Sequence, residues 1–229
     1  MLAKRGQGTE GILKSGKFAI GVLVMHNTGR LFDMEQTDKI LKLKENIGSI
    51  ISLTDDEFSL FIDCFEYKII RKNDYFLEEG NVCNYIGFLV SGTMVYIKPG
   101  EDGDEITTDF AFEGDWVNSV LSRLSNSPSA LSIKALEDSE ILVLKQEDLN
   151  QLYFRIPKVE RLGRIYTEMA FLRFVEQNIE FQVLSAKERY ENLLKKHPEI
   201  FQKVQLYHIA NYLGIAPKSL SRIRKEIFG

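Results

Sequence analysis

Residues Leu206 to Lys225 read LYHIANYLGIAPKSLSRIRK. With Leu206 as the first position, Ala210 is fifth, Gly214 ninth, Leu220 fifteenth and Ile223 eighteenth. Those are the places where a helix-turn-helix needs a small residue, a turn glycine and two core aliphatics. A small side chain at Ala210 lets two helices cross closely, and Gly214 can take the left-handed backbone that ends the first helix. Pro217 suits the first turn of the second helix, where its missing N–H costs nothing. Ile209, Leu213, Ile215, Leu220 and Ile223 complete a small core. The second helix is left to expose Lys218, Ser219, Ser221, Arg222 and Lys225. Arg222 is the expected base reader, because an arginine bidentate to guanine is the commonest specific contact in the major groove. Lys218 and Lys225 are expected on phosphates, and Ser219 and Ser221 on either. Ala216 stands where a Ser or Thr cap is usual, and no wing strands are expected after Gly229.

Working outward, the charge supports this reading. From Ser185 to Gly229 nine Lys and Arg stand against four Glu, a net +5. The chain as a whole carries −4, so the preceding residues hold −9. An acidic body with a basic end places any polyanionic partner at the last 45 residues. A solvated helix face is the bland alternative. Before this segment, Ser185-Ala186-Lys187-Glu188 forms a capping box, opening a helix that Pro198 stops near Lys196. Glu147 to Asn178 is read as helical. In it Leu162, Ile165, Met169, Leu172, Glu176 and Ile179 alternate three- and four-residue steps, a coiled-coil seam interrupted by Glu176. A dimer helix is expected, with packing on its own domain as the alternative.

Further back the texture is that of strands. Tyr67 to Ile70, Tyr85 to Val90, Thr93 to Ile97, Ile106 to Phe112, Leu131 to Ala135 and Ile141 to Leu144 are short apolar and β-branched runs. Turn residues separate them: Glu79-Gly80-Asn81, Ser91-Gly92, Asp102-Gly103 and Glu113-Gly114-Asp115. An antiparallel barrel or roll follows. Two helices lead in, one patterned from Ile40 to Ile51 and one opened by the capping box Thr54-Asp55-Asp56-Glu57. Residues 1–33 are Gly-rich without a clear period and are taken as an extension of uncertain role, or as translation from a start upstream of Met34.

Composition agrees with a globular chain. Of 229 residues 44% are hydrophobic and 27% charged, with Gly (16) and Pro (5) sparse, which excludes disordered and fibrous classes. The longest apolar run, Phe18 to Met25, is far short of the roughly 20 residues a membrane span needs, and no cleavage pattern follows it. A cytoplasmic protein is expected. Cys64 and Cys83 are too few for a disulfide framework or a four-thiolate metal or iron–sulfur site, and each is read as a small buried thiol. No metal or cofactor is expected.

These parts in this order resemble the Crp–Fnr family of transcription regulators. The resemblance runs from about Met34 to Gly229 and includes FLEEGNVCNYIGFLVSGTMVYI (Phe76 to Ile97), FEGDW (Phe112 to Trp116) and ALEDSEILVL (Ala135 to Leu144). The phrase YLGIAPKSLSRIRK is similar to the branch found in Bacteroidetes. The resemblance implies an α+β homodimer. It would have an N-terminal antiparallel β-roll of cyclic-nucleotide-binding type, a long dimerisation helix and a C-terminal helix-turn-helix domain, with double-stranded DNA and RNA polymerase as partners. The corresponding boundaries are 34–156 for the roll and its flanking helices, 157–181 for the dimer helix with its seam of Leu162, Ile165, Met169, Leu172 and Ile179, and 182–229 for the DNA-binding domain.

The ligand cassette departs from the family. Members that bind cyclic AMP carry Gly-Glu and Arg-Ser there. Here those pairs fall on Asn118-Ser119 and Ser129-Ala130, which with Trp116 are the candidate effector pocket. Neither charge is present, and a cyclic phosphate without its Arg loses a charge-assisted bidentate contact. Cyclic nucleotides are therefore expected to bind weakly or not at all, with Arg123 and Lys134 the nearby cations that could substitute. Where the cyclic-AMP receptor has Arg-Glu at its recognition helix this chain has Pro217-Lys218, so a different target sequence is expected.

An enzyme is disfavoured. A cupin metal needs several His inside the barrel, yet His26, His197 and His208 all lie outside Lys68 to Leu144. No Gly-x-Ser-x-Gly, Walker or Rossmann glycine pattern occurs. The remaining alternative is a binding module whose terminal helices contact protein rather than DNA.

Overall fold

The computed structural model describes residues 34–100 and 104–229; the readings of residues 1–33 and of the Asp102-Gly103 turn lie outside these. Helices α1 (Met34–Gly48) and α2 (Asp55–Ile62) lead in. The Thr54 side chain accepts from the Glu57 N–H while the Glu57 carboxylate accepts from the Thr54 N–H, the capping box expected of this sequence. Strands β1 (Phe65–Ile70), β2 (Tyr75–Leu77), β3 (Tyr85–Ser91), β4 (Met94–Pro99), β5 (Glu105–Ala111) and β6 (Trp116–Val117) follow. Then come α3 (Val120–Ser125), β7 (Ser132–Ala135), β8 (Ser139–Lys145), α4 (Gln146–Arg155) and α5 (Pro157–Val183). The chain finishes with α6 (Ala186–Lys196), α7 (Ile200–Lys203), α8 (Leu206–Tyr212) and α9 (Pro217–Phe228).

The strands form two antiparallel four-stranded sheets, ordered β1-β8-β3-β6 and β2-β7-β4-β5. This is the α+β roll with C-terminal helices that the sequence predicts. Both sheets are covered on both faces, which is why the strands read as unbroken apolar runs rather than strict alternation. On β3 and β8, Phe88, Val90, Leu142 and Leu144 pack outward beneath α1, α2, α4 and the start of α5. Their neighbours Leu89, Ile141 and Val143 point the other way and meet Met94, Ala111, Val117 and Ile133 between the sheets. From the second sheet Val95, Ile97 and Phe110 face a third cluster, shared with Tyr190, Leu193, Ile209, Ala210, Leu213, Leu220 and Ile223 of the terminal helices. The roll and the C-terminal helical unit therefore share one hydrophobic core.

Two local differences from the sequence reading have simple causes. The helix read from Glu147 to Asn178 is two helices, broken at Ile156-Pro157. Proline forces its predecessor out of the α region, and Ile156 sits at φ −133, ψ 87. Strands β2 and β6 and helix α3 have three, two and six residues, too short to leave a periodic trace.

Candidate nucleic-acid interface

Helices α8 and α9 are joined through Gly214 at φ +68. The Gly214 N–H donates to the Asn211 carbonyl at 2.9 Å and the Ile215 N–H to the Ala210 carbonyl at 3.0 Å, closing the turn. A Cβ at Gly214 would also lie 3.0 Å from the Phe181 ring. Pro217 opens α9, and Ala216 holds the extended conformation of a cap (φ −67, ψ 146) without a side-chain hydrogen bond. Leu220 and Ile223 are buried against α8. That orientation leaves Lys218, Ser221, Arg222 and Lys225 exposed along one side of the helix, at i, i+3, i+4 and i+7.

The five sequence-predicted contact residues are not equivalent. Ser219 is half-buried. The Ser221 hydroxyl donates to the Pro217 carbonyl at 3.0 Å, within its own helix. Lys218, Arg222 and Lys225 present exposed cations on the outer face. Arg224 is turned inward, its guanidinium 4.5 Å from the Phe201 ring centroid. The basic stretch Arg222 to Lys225 thus divides into Arg222 and Lys225, which face outward, and Arg224, which packs inward.

The long helix α5 has two different sides. One is tied to the rest of the chain: Tyr166 Oη donates to Asn46 Oδ1, Arg173 pairs with Asp109 at 3.3 Å, and Gln177 Nε2 donates to Tyr212 Oη at 3.1 Å. Burial raises the Asp109 carboxyl above its ordinary range while Arg173 pulls it back. The other side exposes Met169 at 53%, Leu172 at 60% and Ile179 at 55%, with Glu176 between them. Ile165 is half-buried. Leu162 must be struck from the expected seam: it is 3% exposed and packs in the roll's outer core. The heptad spacing could not reveal this, because a straight helix drifts about 20° per heptad and the first turns face the domain they grow from.

The candidate effector residues also separate. Ser119 and Ser129 are buried and meet, Oγ to Oγ, at 3.1 Å. Around them the Ser119 N–H donates to Cys83 Sγ, the Cys83 N–H to Ser122 Oγ and the Ser129 N–H to the Asn81 carbonyl. Trp116 lies outside this group, packing on Phe65, Phe88 and Tyr166 and donating to Asn46 Oδ1. Its neighbour Val117 takes the inner face, as the strand period requires. Ala130 is exposed. Arg123 donates to Asn118 Oδ1 and Gln146 Oε1 rather than toward the serines, and burial lowers its pKa. Lys134 lies over the exposed Tyr75 ring. Ser119 and Ser129 are thus bonded to each other, and the Cys83 thiol bonds to backbone, accepting from the Ser119 N–H and donating to the Tyr85 carbonyl. Cys83 is buried as expected; Cys64 is half-buried, with its thiol pKa raised by burial.

What the sequence did not show is the junction of roll and terminal helices, where a cleft of about 390 Å³ is lined by β5, α5, α6 and α8. Asn211, Thr107 and His208 meet beside it, and nothing in their spacing marks them.

Residues 67–155 match the family model described as "Cyclic nucleotide-binding domain". No curated protein matches the sequence. Among solved structures the chain is similar to the c-di-GMP responsive global regulator CLP of Xanthomonas campestris. That match has a TM-score of 0.61 and 15% identity, over 76% of this chain and 91% of that one. It is similar to FixK2 from Bradyrhizobium japonicum at a TM-score of 0.59 and 20% identity, over 71% and 84% of the two chains. A protein of Eubacterium rectale, assigned as a transcriptional regulator to the crp/fnr family, gives 0.59 and 18%, over 76% and 83%. Residues 67–155 thus match the cyclic nucleotide-binding domain, and the chain shares the fold of these structures. Two of these three structures are described as regulators. None of the described helices is long and apolar enough to cross a membrane.

Proposed function

We propose that this protein is a sequence-specific DNA-binding transcription regulator of the Crp–Fnr type, working as a homodimer on an inverted repeat. The observation that carries this reading is the outer face of α9, where Lys218, Arg222 and Lys225 stand exposed on a helix whose opposite side is packed on α8. Arg222 reads a base, and Lys218 and Lys225 hold phosphates. The exposed Met169, Leu172 and Ile179 of α5 meet the same residues of a second copy. Pairing of the long helices places two recognition helices in successive major grooves, about 34 Å apart. RNA polymerase is the further partner implied by the family. An effector that entered the roll would act by favouring one arrangement of the paired helices, and would need a chemistry other than that of cyclic AMP. Cyclic AMP is expected to bind weakly or not at all, since Ser119 and Ser129 offer its phosphate no countercharge.

Genomic fragments captured by the wild-type protein and by Arg222→Ala at one fixed salt concentration test the reading. The wild type should enrich an inverted repeat. The variant should lose about 1–3 kcal/mol on it and relax its preference at one position of each half-site. A shallow salt dependence of DNA binding with no enriched sequence would instead favour a module whose terminal helices contact protein.

A further inference from the structure

Strand β5 is the last strand of its sheet, so one row of its backbone groups faces away from β4. Two of those groups, the Glu105 carbonyl and the Thr107 N–H, flank Ile106 and point to the same edge. Both are taken by one side chain. The Thr107 N–H donates to Asn211 Oδ1 at 2.8 Å, and Asn211 Nδ2 donates to the Glu105 carbonyl at 2.7 Å. The carboxamide thus pairs with the edge as the N–H and C=O of a neighbouring strand would. Tyr207 Oη adds a third bond, to the Glu105 carbonyl at 3.2 Å. The Thr107 hydroxyl lies 3.1 Å from His208 Nδ1, with both residues buried.

Asn211 is also the residue whose carbonyl accepts from Gly214 in the turn that sets α9 against α8. One residue therefore joins the roll's open edge to the turn that aims the recognition helix. Around it the contact continues through apolar groups: the Phe110 and Tyr212 rings lie 5.2 Å apart, and Phe112 and His197 lie 4.5 Å apart. Apolar burial holds two surfaces together but fixes their relative rotation poorly, whereas a two-bond amide pairing on a strand edge has one register.

We infer that Asn211 is a positioning residue: it fixes the orientation of the DNA-reading head on the roll, and through it the spacing between the two half-sites a dimer accepts. The half-site spacing rests on the function proposed above; the head-to-roll geometry does not.

The test uses Asn211→Leu, which removes both bonds while keeping a side chain branched at Cγ, and Asn211→Asp, which keeps the shape but cannot donate to the Glu105 carbonyl. Phe201→Leu serves as a control that lowers the stability of the head without touching β5. Two readouts are taken on the full-length protein. The first is the distance distribution between spin labels at Lys72 on the roll and Gln202 on the head, both exposed, in a Cys64→Ser background. The second is the half-site spacing among inverted repeats selected from random DNA. Both Asn211 variants should broaden the distance distribution. They should keep the half-site sequence but bind repeats lengthened or shortened by one base pair within about threefold of the original, where the wild type and Phe201→Leu lose tenfold or more. A distribution as narrow as the wild type's in both Asn211 variants overturns the inference, as does a spacing preference that Phe201→Leu relaxes equally. If the wild type selects no repeat, the proposed function fails, and the distance measurement alone still decides the role of Asn211.

Discussion

Lys39 shows how a single residue can commit a helix to a sheet. It sits on α1, is 8% exposed, and donates to Tyr67 Oη at 2.9 Å while pairing with Glu140 at 2.7 Å. Burial pulls its pKa down, but the bonds to Glu140 and Tyr67 outweigh that and hold the ammonium above its ordinary value. For Glu140, burial acts upward and is outweighed by bonds from Lys39, Tyr67 and Ser91, so the carboxyl lies below its ordinary value. The stability this carboxylate contributes is present above the unfolded pKa of about 4.3 and is lost as pH falls through the lowered one. Lys39 contributes below about 10.4 and stops doing so as pH rises through its raised value. Glu140→Gln removes the carboxylate charge that pairs with the buried ammonium. At pH 7 it should cost about 3 kcal/mol, the lower end for a broken buried pair because Glu140 keeps 27% of its side chain in water. Urea unfolding from pH 3 to 8 checks this: the gap between variant and wild type should begin to narrow as pH falls below about 4.3, where the unfolded carboxyl protonates, and keep narrowing toward the lowered value of the native carboxyl.

Among the elements, α9 and α6 make an instructive pair. At α6 the Ser185 hydroxyl accepts from the Glu188 N–H and the Glu188 carboxylate accepts from the Ser185 N–H, so the first turn is closed in both directions. The Ala216 cap of α9 has the right backbone and no oxygen. Ala216→Ser should therefore add about 0.5–2 kcal/mol to α9. Slower hydrogen exchange at the Lys218 and Ser219 amides, with no change in the roll, is the measurement; equal exchange would mean that DNA-free α9 is held by Leu220 and Ile223 alone. The same helix shows where sequence reading reaches its limit. Its pattern foretold which residues are buried, because Leu220 and Ile223 recur at helical spacing. It also left Arg224 out of the exposed set, but it could not name what Arg224 packs against, since Phe201 arrives from another helix.

For the whole molecule the exposed side of α5 makes the strongest demand. Met169, Leu172 and Ile179 leave more apolar surface in water than a monomer gains from exposing, and Glu176 between them would face its own copy across a parallel seam. Leu172→Asp should sediment as a monomer at micromolar concentration, where the wild type should sediment as a dimer, and should bind single half-sites with undiminished base preference. Glu176→Leu should tighten the dimer by about tenfold, by removing a like-charge pair from an apolar seam. A wild type that stays monomeric while binding a full repeat would remove the dimer from the proposed mechanism.

Local chemistry made much of this protein legible in one dimension. The capping boxes at Thr54 and Ser185, the left-handed turn at Gly214, the strand runs and the small core of the helix-turn-helix all depend on residues within a few positions of one another. What distant contacts decide was not legible. Leu162 turned into the roll, Trp116 took the outer face, Arg224 met the ring of Phe201, and Asn211 closed the edge of a strand about a hundred residues away. Sequence determined which elements form, because hydrogen bonding and periodicity act over single turns and strands. Tertiary structure alone decided which face each side chain serves, because that choice is made by surfaces that meet only after the chain has folded.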